Sequence, residues 1–490
     1  MRITNSMITN GTLRNVNRSK TNLNNAENQL ATEKKITRPS DDPIVAIRAL
    51  SLRSSLSEIN MYLKNNIPEA QSWLKVTESA LDNMDGALST IYDYCTQGAS
   101  GEFTIDDKSA IIDVLKQYKD AIYSEANADY AGRYCFTGYR TDKSFTFMTT
   151  GEADKKYQIT QTFKGTEIST MNVMKNSVND TNIADIASSD TPETQTVNRL
   201  RLAYDGCADT GFGDINIDGR AYTPTAVSYS EFQEILENGG FDNASGTFYY
   251  IYDTGELAMT DDMYETVKNA SDISFTYTKD GFDKNDYRPE MYFDCVDITD
   301  ANNPVNYTQP EDGQIISYNI NFGQMLQVNT LGKDTISYNI GRDIDDMCNS
   351  LQRIENIEDK ISKLKSMKES SAYSDDEKES IDTMITASEK ELDYAKEDMK
   401  KLFSSQMTKV KEYQQKVDLQ IADLGARDKR LSLTESRLTE QQTTFKDLKS
   451  QNEDADLEET VVNNTQAKAL YQAALSAAAG CIQQSLLDYI

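Results

Sequence analysis

The chain contains no histidine, and this absence excludes several classes of chemistry. A serine or cysteine hydrolase that relies on a histidine base cannot be built from these residues, and neither can a histidine-ligated zinc site. Carboxylate or lysine catalysis stays open, but no motif points to it. We therefore predict no catalytic residue, no bound cofactor and no enzyme activity.

Closely spaced cysteine pairs are also missing. The six cysteines are scattered and include no Cys-x-x-Cys motif, so we expect mostly buried free thiols rather than a disulfide scaffold or a metal cluster. They are Cys95, Cys135, Cys207, Cys295, Cys348 and Cys481.

Long apolar runs are absent as well, and so is a basic segment followed by an apolar one at the start. We expect no membrane insertion, and we expect that the chain, if it leaves the cell, does so without a cleaved signal peptide. Positive charge is scarce: 50 Lys and Arg stand against 79 Asp and Glu, a formal net charge of −29. Such a surface repels phosphate backbones and anionic lipids, which makes nucleic acid and membranes poor partners.

Prolines are few and unevenly placed. None lies between Pro68 and Pro192, and none follows Pro310, so both ends of the chain can form long helices. Apolar residues with three-, four- and seven-residue spacing support this prediction. An intramolecular coiled coil is predicted from Leu74, Leu81, Met84, Leu88, Ile91, Val410, Val417, Leu424, Leu431, Leu438 and Phe445.

The two terminal segments carry a sparser apolar pattern. Short amphipathic helices with little core of their own are marginal alone, so we predict that they are mobile in the monomer and order on assembly. An ordinary pair of amphipathic helices in a compact bundle is the alternative. The predicted assembly seam consists of Val16, Leu23, Leu30, Leu470, Leu475, Ile482 and Leu486.

The stretch KKITRPSDDPIVAIRA, residues 34–49, predicts a break between two helices. Pro39 should end the preceding helix, whereas Ser40, Asp41 and Asp42 can cap the next one and Pro43 suits its first turn. The adjacent aspartates have no spaced third ligand, so capping is favoured over a metal site. The break motif comprises Arg38, Pro39, Ser40, Asp41, Asp42 and Pro43.

The middle of the chain differs in composition. From about 145 to 327 it is rich in Thr, Tyr, Gly and Asp, and turn residues separate short β-prone runs. We predict one or two β-rich subdomains there. Two aspartate-rich stretches, near 283–290 and 212–222, lack the spacing of a calcium loop and are interpreted as turns.

Several motifs at both ends resemble the flagellin superfamily, and within it the family of hook–filament junction proteins. The opening MRITNSMI is followed by TRPSDDPIVAIRAL, and ADLGARDKRL, SQNEDADLEETVVNNTQAKALYQAALSAA and SLLDYI lie in the C-terminal part. Between them, AGRYCFTGYRTDKSFTF (131–147) resembles a family hairpin carried by Gly132, Arg133, Tyr134, Phe136, Gly138 and Tyr139. These matches cover roughly residues 1–147 and 402–490.

This resemblance implies an α+β protein of elongated flagellin-like architecture, in which long terminal helices pair in a coiled-coil bundle around a β-rich insertion. The segments predicted are a terminal helix (1–38), half of a helical shell (39–147), the insertion (148–330), a helical hairpin with the other half-shell (331–450), and a second terminal helix (451–490). The break near Pro39 would be the hinge between terminal helix and shell.

The resemblance also implies a function. It implies a non-catalytic flagellar component, outside the cell at the hook–filament junction, exported uncleaved through the flagellar type III pathway. The implied partners are flagellin, another hook-associated protein, further copies of the chain in a ring, and a cytoplasmic export chaperone. A flagellin filament subunit is the nearest alternative, and a secreted adhesin or carbohydrate-acting protein is a more distant one.

Overall fold

The structure is a computed structural model that describes residues 5–100, 104–148, 155–175, 192–310 and 313–482, without the side chains of residues 5, 242, 243, 481 and 482. It is an α+β fold in two compact units. Unit 1 combines Met1–Gln71, Tyr318–Leu326 and Lys429–Ile490, and unit 2 combines Ser72–Ser317 and Gln327–Asp428.

Helices dominate both ends of the chain. The longer ones are α1 (Asn5–Thr32), α2 (Pro43–Met61), α3 (Ile67–Ala99), α4 (Ile105–Ala126), α5 (Tyr229–Glu237), α6 (Asp261–Lys268), α7 (Asn339–Glu369), α8 (Asp375–Glu453) and α9 (Leu457–Ile482). A π-helical turn (Tyr62–Asn66), a 3₁₀ turn (Gly165–Glu167) and single helical turns at Gly240–Asn243, Pro289–Tyr292 and Gly332–Thr335 complete the helical residues described.

The strands lie in the middle of the chain. A first hairpin joins β1 (Asp129–Tyr130) to β2 (Arg133–Tyr134). The others are β3 (Lys156–Phe163), β4 (Ser169–Lys175), β5 (Glu193–Arg201), β6 (Ile215–Ile217), β7 (Arg220–Tyr222), β8 (Thr225–Val227), β9 (Phe248–Ile251), β10 (Glu256–Met259), β11 (Ile273–Asp280), β12 (Asp294–Asp297), β13 (Val305–Tyr307), β14 (Ser317–Asn321) and β15 (Gln324–Gln327).

Two sheets of unit 2 form a sandwich. One sheet has the order β4-β5-β10-β9-β8 and the other the order β13-β12-β3-β11-β6-β7, with β8 and β9 as a parallel pair. Because side chains alternate along a strand, Phe248 and Tyr250 of β9 enter the aromatic core between the sheets. The alternate residues of this strand, Tyr249 and Ile251, pack on the outer face with α5 residues such as Phe232.

The helical part of unit 2 is built from α3, α4, α7 and the first part of α8. Helix α4 begins with a capping box between Thr104 and Asp107 and packs against α7. Gly98 of α3 leaves room for the ring of Phe403 on α8, because a Cβ at this glycine would lie 2.6 Å from the ring.

Unit 1 contains the terminal pair α1 and α9. After α1 the backbone turns at Glu33, whose φ is 55°, and residues 33–35 pair with residues 453–455 through the Ala455 N–H to Glu33 carbonyl and the Lys35 N–H to Glu453 carbonyl bonds. Since the end of α1 thus meets the start of α9, the two helices run antiparallel.

Three boundaries differ from the sequence predictions. Helix α1 ends at Thr32 rather than next to Pro39, because the following residues pair with the segment before α9. Helix α8 continues to Glu453, past the predicted boundary at 450, and Asp456 then caps α9 by accepting from the Glu458 and Glu459 amides. Pro68, which lacks an amide proton, predicts a kink or a short restart, but the irregularity is a π-helical turn at Tyr62–Asn66 and α3 begins at Ile67.

Candidate assembly interface

The face that α1 turns towards α9 is unusually poor in large apolar side chains. Thr9, Thr12, Val16, Ser19, Leu23, Ala26 and Leu30, at alternating three- and four-residue spacing, are the α1 residues of this face. Only Ala26 among them is fully buried. This contact therefore contributes little apolar burial compared with a leucine-lined coiled coil.

Helix α9 shows the same composition on its inner face. The corresponding residues are Thr460, Asn464, Ala467, Tyr471, Ala474 and Ala478. Small alanines let the two helices approach closely. Large apolar residues of α9, in contrast, lie on the outside: Leu470 is 64% exposed and Leu475 is 43% exposed.

The outward apolar side chains are concentrated in unit 1. Of the twenty-one large apolar side chains that are exposed among the described residues, sixteen belong to this smaller unit. They are Met7, Ile8, Leu13, Ile44, Ile47, Leu50, Met61, Phe322, Met325, Leu433, Leu448, Leu457, Val461, Val462, Leu470 and Leu475. Such a concentration is typical of a surface that a partner covers. We call the outward apolar residues of α1 and α9 the terminal face.

The predicted assembly seam therefore divides into two groups. Val16, Leu23 and Leu30 lie half-buried on the side of α1 that contacts α9. Leu470 and Leu475 lie on the terminal face. Leu486 and the side chain of Ile482 fall outside the described residues.

The predicted break contains the expected caps. The Asp42 carboxylate accepts from the amides of Ile44 and Val45, and Pro43 is the first residue of α2. The Asp41 carboxylate accepts from the Arg38 amide at 2.8 Å, and this bond lowers the pKa of Asp41. Pro39 and Ser40 form the exposed turn between these two aspartate contacts.

Sequence reasoning missed the residues that fasten this break to the C-terminal region. Glu453, at the end of α8, is buried, and its two carboxylate oxygens accept hydrogen bonds from Nε and Nη2 of Arg53, each at 2.7 Å. Lys34 pairs with Asp454. The Arg53 hydrogen bond lowers the pKa of Glu453. No spacing rule links residues 400 positions apart, so the sequence offered no signal for this contact.

The predicted family hairpin is the β1–β2 turn. Ala131 and Gly132 both adopt positive φ, as a tight two-residue turn requires. The Arg133 guanidinium lies 5.1 Å from the centre of the Trp73 ring on α3, and Tyr134 is half-buried.

The rest of the motif faces the β-rich part of unit 2. Phe136 is buried, while Tyr139 is 61% exposed and donates its backbone N–H to Gln314. At Gly138, φ is +61° and a Cβ would lie 2.2 Å from the Gln314 side-chain oxygen, so the position requires glycine. Phe145, just beyond, packs edge-on against Tyr287.

The predicted coiled-coil residues are buried with one exception. Leu74, Leu81, Met84, Leu88, Ile91, Val410, Val417, Leu424, Leu431 and Leu438 are each at most 5% exposed. Phe445, near the end of α8, is only half-buried.

A buried ionic network joins the sandwich to α7 and α8 within unit 2. Arg201 of β5 contacts Asp343 at 2.5 Å and Asp346 at 2.8 Å, and Asp343 also accepts from Lys409 and Tyr413. Burial alone raises the pKa of a carboxyl, but these donors hold the pKa of Asp343 down at about 2. No pattern in the sequence indicated this network either.

The described cysteines are free thiols, and none of them forms a disulfide bond. Four are buried and Cys348 is half-buried, whereas the side chain of Cys481 is outside the described set. Desolvation raises the pKa of Cys95 and of Cys207 to about 12, so both are protonated thiols near neutral pH.

Neither a metal cluster nor a membrane span is found in the described ranges. No group of three or more Cys, Asp and Glu side chains there is arranged to hold a metal ion. No described helix combines the length and apolar character needed to cross a bilayer.

Comparison with protein families matches both ends of the chain. The bacterial flagellin N-terminal helical region matches residues 3–141, and the bacterial flagellin C-terminal helical region matches residues 407–490. Between them, residues 142–406 include the sandwich, α7 and the first part of α8.

Curated relatives include two proteins named flagellar hook-associated protein 3. The one from Salmonella typhimurium is 28% identical over 152 residues, covering 31% of this chain and 48% of the relative. The one from Escherichia coli is 26% identical over 143 residues, covering 29% and 45%. The chain thus spans about half the length of the curated relatives it matches.

Solved structures of similar proteins include a putative flagellar hook-associated protein from Vibrio parahaemolyticus, with a TM-score of 0.37 and 13% identity over 84% of this chain and 100% of the other. The hook-associated protein 3 of Legionella pneumophila aligns with a TM-score of 0.31 and 10% identity over 81% of this chain and 96% of the other.

Proposed function

We propose that this chain, whose two ends match the N-terminal and C-terminal helical regions of bacterial flagellin, is a structural, non-catalytic subunit of the flagellum that joins the hook to the filament. The observation that carries the proposal is the terminal face. A unit that buries alanine and threonine between α1 and α9 while exposing leucine, valine and methionine is incomplete as a monomer.

The partners proposed follow from this face and from the names of the relatives. Further copies of the chain would cover the terminal face around a ring, with flagellin on one side and another hook-associated protein on the other. The predicted seam residues Leu470 and Leu475 would lie in these contacts, and the Pro39–Pro43 break would set the angle between α1 and α2.

The route to this position is also a proposal. The protein would lie at the hook–filament junction outside the cell, reached by type III export without cleavage. A cytoplasmic chaperone would cover the apolar residues of α9 before export, because an exposed apolar helix invites premature association.

A flagellin subunit is the second candidate, since both terminal regions match that family. The curated relatives are named hook-associated protein 3, which favours the junction. An adhesin or carbohydrate-acting role for the sandwich has no specific observation in its favour.

Deleting the gene and locating flagellin tests the proposal. We expect intact hooks without filaments and flagellin released as monomer into the medium. Loss of flagellin from both cells and medium would show that the chain is the filament subunit, and normal filaments would overturn both axial roles. Quantifying the copies per flagellum provides an independent check, because a junction requires a single ring.

A further inference from the structure

A cleft of about 580 Å³ opens in unit 2 where α4 begins, between α4, α7 and α8. Its lining includes Thr104, the N-cap of α4, and three lysines: Lys108 of α4 and Lys396 and Lys400 of α8. No predicted site residue lies here, and the junction role does not use the cleft.

Lys108 is the unusual residue of this cleft. The residue as a whole is only 8% exposed, while its ammonium reaches the space of the cleft and has no hydrogen-bond or ion-pair partner among the described residues. Because the stem of the side chain is covered, the charged form loses part of its hydration, and no carboxylate compensates for that loss. Its place near the positive end of the α4 dipole adds a further unfavourable term.

Neighbouring charges do not stabilise the charged form of Lys108. Desolvation lowers the pKa of Lys108, and the charges of Lys400 and Lys396 lower it further. Asp106 lines the cleft but is two residues from Lys108 on the helix, a spacing at which side chains do not face each other.

The two glutamates of the cleft are engaged elsewhere. Glu358 pairs with Lys396 at 3.1 Å, and Glu397 pairs with Lys401 at 2.9 Å. Lys108 and Lys400 are therefore the cations of the cleft that contact no carboxylate in the described part of the chain.

We propose that this cleft binds a small tetrahedral oxyanion, phosphate or sulfate, with Lys108 as its central ligand and Lys400 beside it. An ammonium presents three donors to such an oxyanion, and the start of α4 favours negative charge. The volume admits the anion together with water. The binding is independent of the proposed role at the junction.

The test is thermal unfolding of the full chain in phosphate, sulfate, acetate and chloride at equal ionic strength and pH. Trp73 is the single tryptophan and lies in unit 2, so its fluorescence reports on this unit. We expect a saturable rise in Tm with phosphate and sulfate, as for a ligand that binds the folded state alone, and none with acetate.

Two variants assign the effect to the cleft. Lys108→Gln should abolish the saturable rise and, because it removes a partly desolvated charge close to Lys400 and Lys396, should raise Tm in chloride. Lys400→Gln changes an exposed side chain, cannot prevent folding, and should weaken phosphate binding about tenfold in calorimetry.

Lys116→Gln is the matched control, since Lys116 lies on the same helix, is half exposed and pairs with Asp113. It should bind phosphate as the unmodified chain does. The proposal is overturned if phosphate produces no saturable response, if acetate alone produces one, or if Lys400→Gln binds phosphate with unchanged affinity.

Discussion

At the scale of single residues, buried ion pairs in unit 2 connect the sandwich to the helices α7 and α8. Arg201 lies on a strand of the sandwich, while its partners Asp343 and Asp346 lie on α7 and Lys409 lies on α8. Three elements far apart in sequence therefore meet at the Asp343 carboxylate, which contacts both Arg201 and Lys409. Buried ion pairs add little net stability, but removing one partner leaves an uncompensated charge and is costly.

Asp343→Asn should lower the free energy of unfolding of unit 2 by about 3–5 kcal/mol, because Arg201 and Lys409 lose their shared carboxylate. Urea denaturation followed by Trp73 fluorescence measures this. Asp359→Asn, an exposed position on the same helix, should stay within about 0.5 kcal/mol of the unmodified chain. An equal decrease in the free energy of unfolding in both variants would show that the Asp343 ion pairs do not hold the sandwich to α7 and α8.

Asp343 also predicts a pH dependence. Its pKa is about 2 in the folded state against an ordinary value of 3.8, so its contribution is complete above pH 3.8 and disappears as the pH falls towards 2. That contribution is on the order of 2 kcal/mol. Between pH 4 and pH 2 the free energy of unfolding should fall more steeply for the unmodified chain than for Asp343→Asn. Parallel curves would show that Asp343 does not titrate in this window.

At the scale of elements, α1 and α9 bury mostly small side chains between them, which provides too little apolar burial for a stable isolated pair. Ala26, Thr460 and Ala478 are buried, whereas Met7 and Leu470 are exposed. In a domain that is stable alone, the large apolar side chains are normally the buried ones. The pair is best understood as one layer of a larger packing arrangement.

Replacing both Leu470 and Leu475 by Gln should leave the helix content of the purified chain unchanged, because both side chains are exposed. In a strain lacking the gene, the double variant should be exported yet fail to retain filaments. Electron microscopy and the flagellin content of the medium measure this. The matched control replaces the exposed Leu419 of unit 2 by Gln and should restore filaments. Full restoration by the double variant would remove the terminal face from the interface.

At the scale of the whole molecule, burial is distributed unequally between the two units. Unit 2 contains the aromatic sandwich core and most of the coiled-coil residues, whereas unit 1 has most of the exposed large apolar side chains. Local stability should follow this difference, since segments with few buried apolar contacts open more readily.

Hydrogen exchange of the purified monomer should therefore be graded along the chain. Amides of α1 and α9 are expected to exchange faster than those of α3 and of the strands β3 and β11. Exchange detected by mass spectrometry, segment by segment, measures this. Protection of α1 and α9 equal to that of α3 would favour a compact bundle over helices that order on assembly.

Local features were the part of the fold that the sequence predicted best. The Asp42 cap and Pro43 start of α2 and the buried coiled-coil residues of α8 depend on neighbouring residues and a helical period, and the structure contains all of them. The predicted end of the first helix next to Pro39 was wrong, because α1 ends at Thr32, where the following residues pair with residues 453–455.

By itself, the sequence determined the α+β class, the helical ends with a β-rich middle, and the likeness to flagellin, because these depend on composition, periodicity and order along the chain. Only the tertiary structure decided which face of α9 meets α1, which carboxylate meets Arg201, and that the Lys108 ammonium enters a cleft beside Lys400. Each of these depends on distances between segments that lie far apart in the chain, and no spacing within one segment specifies them.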